Sequence, residues 1–230
     1  MERHIAVVIG STGGIGSALQ DALKSSGQYD EVVGFSRSSI PTLDLLVETS
    51  IEECATRIKT LHGHVRLVFD ATGALVLEGA RPEKSLKDLD PVHMARAHAI
   101  NTIGPALLLK HFLPLLPKQG KSVFATLSAR VGSIGDNRLG GWYAYRSSKA
   151  ALNQLVRTAS IELARTRKEA VCVALHPGTV RTPLTEGFSK TGLDVQEPEL
   201  AAKRLLSVID GLSQAHSGGF FDYRGEEIPW

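Results

Sequence analysis

Cysteine is scarce. Cys54 and Cys172 are the only two in 230 residues. Two cysteines cannot form the multi-bridge framework of a small secreted fold, so a reducing, cytoplasmic home is expected. Long apolar runs are also missing. None reaches the ~20 residues that span a bilayer, so no membrane partner is expected. Charge of one sign is missing as well. Lys plus Arg number 26 against 24 Asp plus Glu, a formal net charge of +2. That balance gives no field for a nucleic-acid partner. The start, MERHIAVVIG, lacks the basic region, apolar core and cleavage site of a secretory signal. No metal site is expected. His62 and His64 form a His-x-His pair, but on a helix-to-strand connection with no third ligand in view.

What remains is an ordinary globular composition, 43% apolar and 22% charged, long enough for one domain over residues 1–230 with a substantial core. Strand candidates are Ile5–Ile9, Val32–Phe35, Val65–Phe69, Ser122–Leu127, Val171–Leu175 and Phe220–Tyr223. They read as continuous apolar runs, the pattern of strands buried on both faces of a parallel sheet. Helical stripes separate them: Ile15, Leu19, Ala22 and Leu23, then Ile51, Ala55, Ile58 and Leu61. Longer helices are expected over Asn101–Leu116 and Tyr145–Arg165, and a last one over Glu199–Ile209. The order predicts an α/β fold, a Rossmann-type doubly wound parallel sheet flanked by helices on both faces. Gly132–Gly141 and Thr182–Pro198 read as loops.

The stretch VVIGSTGGIGSAL joins the first strand to the first helix. There a helix N-terminus offers free N–H groups and its positive dipole end to a pyrophosphate. The spacing of Gly10, Gly14 and Gly16 is neither Gly-x-Gly-x-x-Gly nor a P-loop. Alone, it could equally be a ligand-free turn. The end of the second strand speaks to the nucleotide. An NAD site places an acid there, about 20 residues on. Here GFSRSS supplies Arg37 between Ser36 and Ser38, a guanidinium suited to a 2′-phosphate. NADP(H) is the expected cofactor, with Ser11, Thr12 and Ile15 meeting its phosphates. Arg37 could also be a solvated loop residue.

GGWYAYRSSKAALNQL places Tyr145 and Lys149 four apart on one helix face. A nearby ammonium favours the phenolate and would lower the tyrosine pKa, making Tyr145 a proton donor to a carbonyl oxygen. As a pair alone it could be a surface helix turn. His93, His98 and His111 read as helix-surface or packing residues. His176 stands where it could touch substrate. Cys54 and Cys172 read as core fillers.

Taken together, these motifs resemble the short-chain dehydrogenase/reductase family, over nearly the whole chain. Gly10-x-x-x-Gly14-x-Gly16 is similar to its cofactor loop and Tyr145-x-x-x-Lys149 to its catalytic pair. Asp70–Gly73 sits where the family has Asn-Asn-Ala-Gly, with Gly73 retained. Asn101 in NTIGP matches its catalytic asparagine. HPGTVRT matches the segment lining the nicotinamide, which assigns Pro177, Gly178, Val180 and Thr182 to the cofactor. Asp44 and Leu45 resemble the pair near the adenine. SARVGSIGDN and the ending FFDYRGEEIPW are similar to the C-factor-like and sniffer-like carbonyl reductase branch. One position departs from the pattern: Ala129 stands at the family's catalytic serine. Ser128 is then expected to bind the substrate oxygen, with Ser133 as the fallback.

The resemblance implies hydride transfer between NADP(H) and a small-molecule carbonyl or alcohol. Lys149 would also bind the nicotinamide ribose, and Asn101 would hold a water relaying protons. It further implies a homodimer or homotetramer, joined through the helices at Asn101–Leu116 and Tyr145–Arg165. The other class of function left open is an NADP-binding sensor or signalling protein with little turnover.

Overall fold

The computed structural model describes residues 2–77, 79, 81–182 and 195–230. Most of the expected Thr182–Pro198 loop therefore lies outside the described residues. The strands are β1 (His4–Ile9), β2 (Glu31–Phe35), β3 (His64–Asp70), β4 (Ser122–Leu127), β5 (Ala170–His176), β6 (Thr179–Val180), β7 (Val195–Gln196) and β8 (Phe220–Asp222). Six of them form one sheet in the order β2-β1-β3-β4-β5-β8, with every neighbouring pair parallel. The short β6 and β7 pair with each other. The expected doubly wound parallel sheet is the architecture observed.

The apolar runs explain the layering. Along β1, Ile5, Val7 and Ile9 join one core while Ala6 and Val8 join the other. A strand whose alternate residues are all apolar must be covered twice. Helices α2 (Glu48–Lys59), α4 (Gly104–Phe112) and α5 (Tyr143–Thr166) cover the first face, contributing Ile51, Leu108 and Val156. Helices α1 (Gly14–Ser26) and α6 (Pro198–Gly211) cover the second through Leu19, Leu23 and Leu205.

Two helical details differ from expectation. Helix α3 (Pro91–His98) precedes the expected Asn101–Leu116 helix and joins it through a wide π-type turn at Ala99–Ile103. Asp90 starts α3 by accepting the His93 N–H at 2.6 Å, and Pro91 needs no N–H at the first position. Helix α5 opens two residues before Tyr145, after Trp142 has taken a left-handed conformation at φ 54°. The carboxyl ends of the strands, where such sheets bind ligands, gather the glycine loop, Asp70, Ser128 and His176 on one rim.

Candidate active site

The glycine loop is tied down at its start. Gly10 and Ser11 both donate to the Phe35 carbonyl at the end of β2, at 2.8 and 3.1 Å. Gly10 then turns with φ +80°, a conformation that favours glycine. A Cβ on Gly16 would stand 2.1 Å from the Gly10 carbonyl oxygen, so the helix can close on the loop only without one. A Cβ on Gly14 would meet the Thr182 methyl at 2.7 Å. That contact brings the HPGTVRT segment to the loop. No side chain caps α1, so its first N–H groups remain available to an anion. Ser11 and Ile15 are half-buried and Thr12 is exposed on this loop. The cradle fits a pyrophosphate.

Arg37 is exposed and makes no hydrogen bond or ion pair with the described residues, while Ser36 and Ser38 hydroxyls bond each other at 3.1 Å. Asp44 folds its own turn, accepting the Leu46 N–H at 2.9 Å, and Leu45 packs where Gly104 lacks a Cβ. Beyond β5, Gly178 has φ +79°, and a Cβ there would strike Gln196 and the Tyr223 ring. Gln196 donates to the Pro177 carbonyl, and Val180 is buried beside it in β6. These contacts fix the segment expected to line the nicotinamide.

At the centre, Gly73, Asn101 and Lys149 meet. A Cβ on Gly73 would stand 3.2 Å from Lys149 Nζ and 3.5 Å from Asn101 Oδ1. Asn101 is fully buried. Its Oδ1 accepts the Ala74 N–H at 2.9 Å, and its Nδ2 donates to the Ala74 carbonyl at 2.8 Å. Both ends of the amide thus hold the turn at Ala74. Lys149 Nζ donates to the Leu127 carbonyl at 2.8 Å. Burial pulls its ammonium down to about 8, against the upward pull of Asp70.

Asp70, which begins the Asp70–Gly73 segment, is the buried acid beside Lys149. Its carboxylate is fully buried, taking the Thr72 N–H and hydroxyl on Oδ1 and the Thr126 hydroxyl on Oδ2. Burial raises its pKa while those bonds and Lys149 hold it down. Aspartate in place of the family's asparagine was the available signal.

Tyr145 is half-buried beside Trp142, ring edge to face at 6.3 Å. Burial pushes its phenol up to about 12. The expected lowering by Lys149 is not what this geometry gives, because the ammonium points to the Leu127 carbonyl. The phenol is protonated at neutral pH, but burial makes it a weaker acid than a free tyrosine.

Both candidate serines already have hydrogen-bond partners. The Ser128 N–H still bonds Leu175 at 2.8 Å, so the ladder runs on one residue past β4 and sets the side chain toward α5. There its hydroxyl donates to Asn153 Oδ1 at 2.6 Å, within the core. The fallback fares no better: the Ser133 hydroxyl donates to the Pro229 carbonyl in the C-terminal tail. Each hydroxyl has one proton to give, and both are already engaged.

Glu83 had no sequence signal beyond residue type, whereas His176 was expected within reach of substrate from its place before Pro177. Glu83 accepts the Ala144 N–H at 3.3 Å and bonds His93 Nδ1 at 3.2 Å, so it caps α5 from a distant loop. Burial, then the Arg130 cation, pull the His176 imidazole down to about 4, and its buried Nδ1 has no partner among the described residues.

Comparison with known proteins follows the same lines. A family model described as enoyl-(acyl carrier protein) reductase matches residues 15–210. The C-signal protein of Myxococcus xanthus is 44% identical over 148 residues, 64% of this chain and 84% of that one. The 1-hydroxy-2-glutathionyl-2-methyl-3-butene dehydrogenase of Rhodococcus sp. (strain AD45) is 35% identical over 191 residues, 83% and 79% of the two chains. The NADPH-bound carbonyl reductase from chicken fatty liver superposes over all of both chains with a TM-score of 0.85 at 25% identity. With a match that spans most of the sequence and a fold shared end to end, this chain belongs to the short-chain dehydrogenase/reductase family.

Proposed function

We propose that the protein is an NADP(H)-dependent oxidoreductase that reduces carbonyl compounds, with Tyr145 as general acid. The observation that carries the reading is the convergence of Lys149 and Asn101 on Gly73, one helical turn from Tyr145, on the rim where the glycine cradle opens. The NADPH-bound chicken carbonyl reductase, of the same fold, supports it.

Gly10, Ser11, Thr12, Gly14, Ile15 and Gly16 would hold the pyrophosphate. Arg37 would hold the 2′-phosphate, with Asp44 and Leu45 at the adenine end. Gly73, Lys149, Pro177, Gly178, Val180 and Thr182 would line the nicotinamide half. When bound, NADPH supplies the hydride. The protein's own part is to orient the carbonyl and to move a proton. Tyr145, protonated at neutral pH, donates to the developing alkoxide. Lys149 supplies positive charge behind it, and Asn101 fixes the turn on which Lys149 rests. The first test is NADPH consumption with a panel of aldehydes and ketones. Binding without consumption across the panel would overturn the reading.

Arg37 sets the cofactor. In Arg37→Asp, NADPH affinity is expected to fall about tenfold or more while NADH affinity holds or rises, because a carboxylate repels the 2′-phosphate and accepts from a ribose hydroxyl. Equal loss for both nucleotides would contradict the assignment. A pH profile is the second check. With Lys149 at about 8 and Tyr145 at about 12, the rate is expected to fall as pH rises through about 8. Loss of fold is not the cause. Above that pH the unfolded chain holds more protons on this lysine than the folded one, so its contribution to stability rises with pH. A rate flat to pH 10 would remove Lys149 from the titration.

The reading places the protein in a reducing cytoplasm, where buried Cys54 and Cys172 remain thiols. No helix among the described residues is long and apolar enough to cross a membrane. Assembly into a dimer or tetramer is supported by Ile103 and Ile161, exposed next to α4 and on α5. A second reading, a signalling protein with little turnover, is favoured by Ala129 together with the engaged Ser128 and Ser133. Tight NADPH binding without carbonyl reduction would select it.

A further inference from the structure

Asp70 is a buried carboxylate whose charge the mechanism above leaves without a task. It ends β3, directly opposite Thr126 of β4. Three donors converge on it. Oδ1 takes the N–H of Thr72 at 2.9 Å and the hydroxyl of the same residue, and Oδ2 takes the Thr126 hydroxyl at 2.7 Å. Each of these bonds gives a proton to the carboxylate, and none takes one from it. That pattern stabilises the ionised form. A fully buried anion is costly when it stands alone, so this one calls for a cation.

Lys149 is that cation. It is buried too, and it reaches the next residue of β4: its Nζ donates to the Leu127 carbonyl at 2.8 Å, one position beyond Thr126. The other elements around it present groups without charge. These are the Asn101 amide, Gly73, and Gly132, where a Cβ would stand 2.8 Å from Lys149 Cβ. Tyr145 lies one turn back on α5 and keeps its proton at neutral pH. Among the described residues, Asp70 is the charge that bears on Lys149, and Lys149 is the charge that bears on Asp70. With both buried, little water screens the attraction between them.

We infer that Asp70 is a positioning residue for carbonyl reduction, the counter-charge that keeps Lys149 an ammonium close to the proton donor. The catalytic part rests on the reductase reading above, while the charge pair is tested without turnover. In urea at neutral pH, Asp70→Asn and Lys149→Met are each expected to lower the unfolding midpoint, because each leaves one buried group without its partner. The double variant, neutral at both positions, is expected to recover most of that loss. Losses that simply add would overturn the pairing. If a single variant fails to fold, recovery of folding in the double variant is the expected result, and a double variant that stays unfolded would overturn the pairing as well. In carbonyl reduction, Asp70→Asn is expected to move the pH limb near 8 down by about one to three units. Its rate deficit against wild type then grows as pH rises toward 8. Stability runs the other way. Over that range the variant's Lys149 has lost its proton in the fold while the unfolded chain keeps it, so the variant gains stability with pH and the wild-type lysine contributes no such gain. A rate deficit of equal size at every pH would show that Asp70 only packs the site. If wild type reduces no carbonyl, the reductase reading falls and the catalytic part with it, and the urea cycle still decides the pairing.

Discussion

Replacing Tyr145 by phenylalanine is expected to lower kcat for carbonyl reduction by about 10²–10⁴. NADPH affinity should change less than about threefold, since a lost general acid acts on the transition state and not on cofactor binding. The substitution keeps the ring, and with it the edge contact to Trp142 at 6.3 Å. It removes only the hydroxyl, whose proton is held at neutral pH by burial. Single-turnover reduction, followed by loss of NADPH fluorescence, separates the two quantities. Turnover equal to wild type would show that the proton comes from elsewhere, with Tyr143 or a water the next groups to examine.

The second large effect is a gain. Ala129→Ser is expected to raise kcat about tenfold or more, because one well-placed donor to a developing oxyanion contributes on the order of 10²–10³. The reasoning starts from two engaged hydroxyls. Ser128 gives its proton to Asn153 at 2.6 Å, and Ser133 gives its own to Pro229. Neither is free to polarise a substrate, and residue 129 is where the family carries its serine. The companion variant, Ser128→Ala, strands the buried Asn153 Oδ1. It should cost about 1–2 kcal/mol of stability, a few degrees of Tm, with little change in kcat. A large loss of kcat in Ser128→Ala, with no gain in Ala129→Ser, would return the substrate role to Ser128.

The serine case shows where sequence reading stops. The strand itself was legible, since SVFATL is an apolar run and all six residues are buried. The direction of the next side chain was not. It depends on whether the ladder ends at Leu127 or runs on, and the Ser128 bond to Leu175 decides that. The glycine loop was legible because its cause is local: the loop closes on itself, Gly16 against the Gly10 carbonyl. Tyr145 and Lys149 were legible as neighbours on one helix. Their electrostatics were not, because Lys149 is governed by Leu127 and Asp70 on two separate strands. Helix α3 escaped notice for a similar reason. PVHMARAH buries only Ala97, too little apolar pattern to announce a helix. His93 read as a helix-surface or packing residue, and only the fold brings Glu83 onto its ring.

The parallel sheet has a consequence for biosynthesis. No two of its strands can pair through a tight hairpin, so every ladder waits for an intervening helix to be made and packed. The edge strand β8 begins at Phe220, after every other strand of the sheet. Until it leaves the ribosome, the far side of β5 has exposed N–H and C=O groups. The tail that takes up the Ser133 hydroxyl is later still. Translation therefore carries a nearly complete sheet with an open edge, the condition under which nascent chains stick to one another. Pausing shortly before Phe220 should make this protein a client of chaperones, and a chain stopped there should aggregate rather than persist as a soluble fragment.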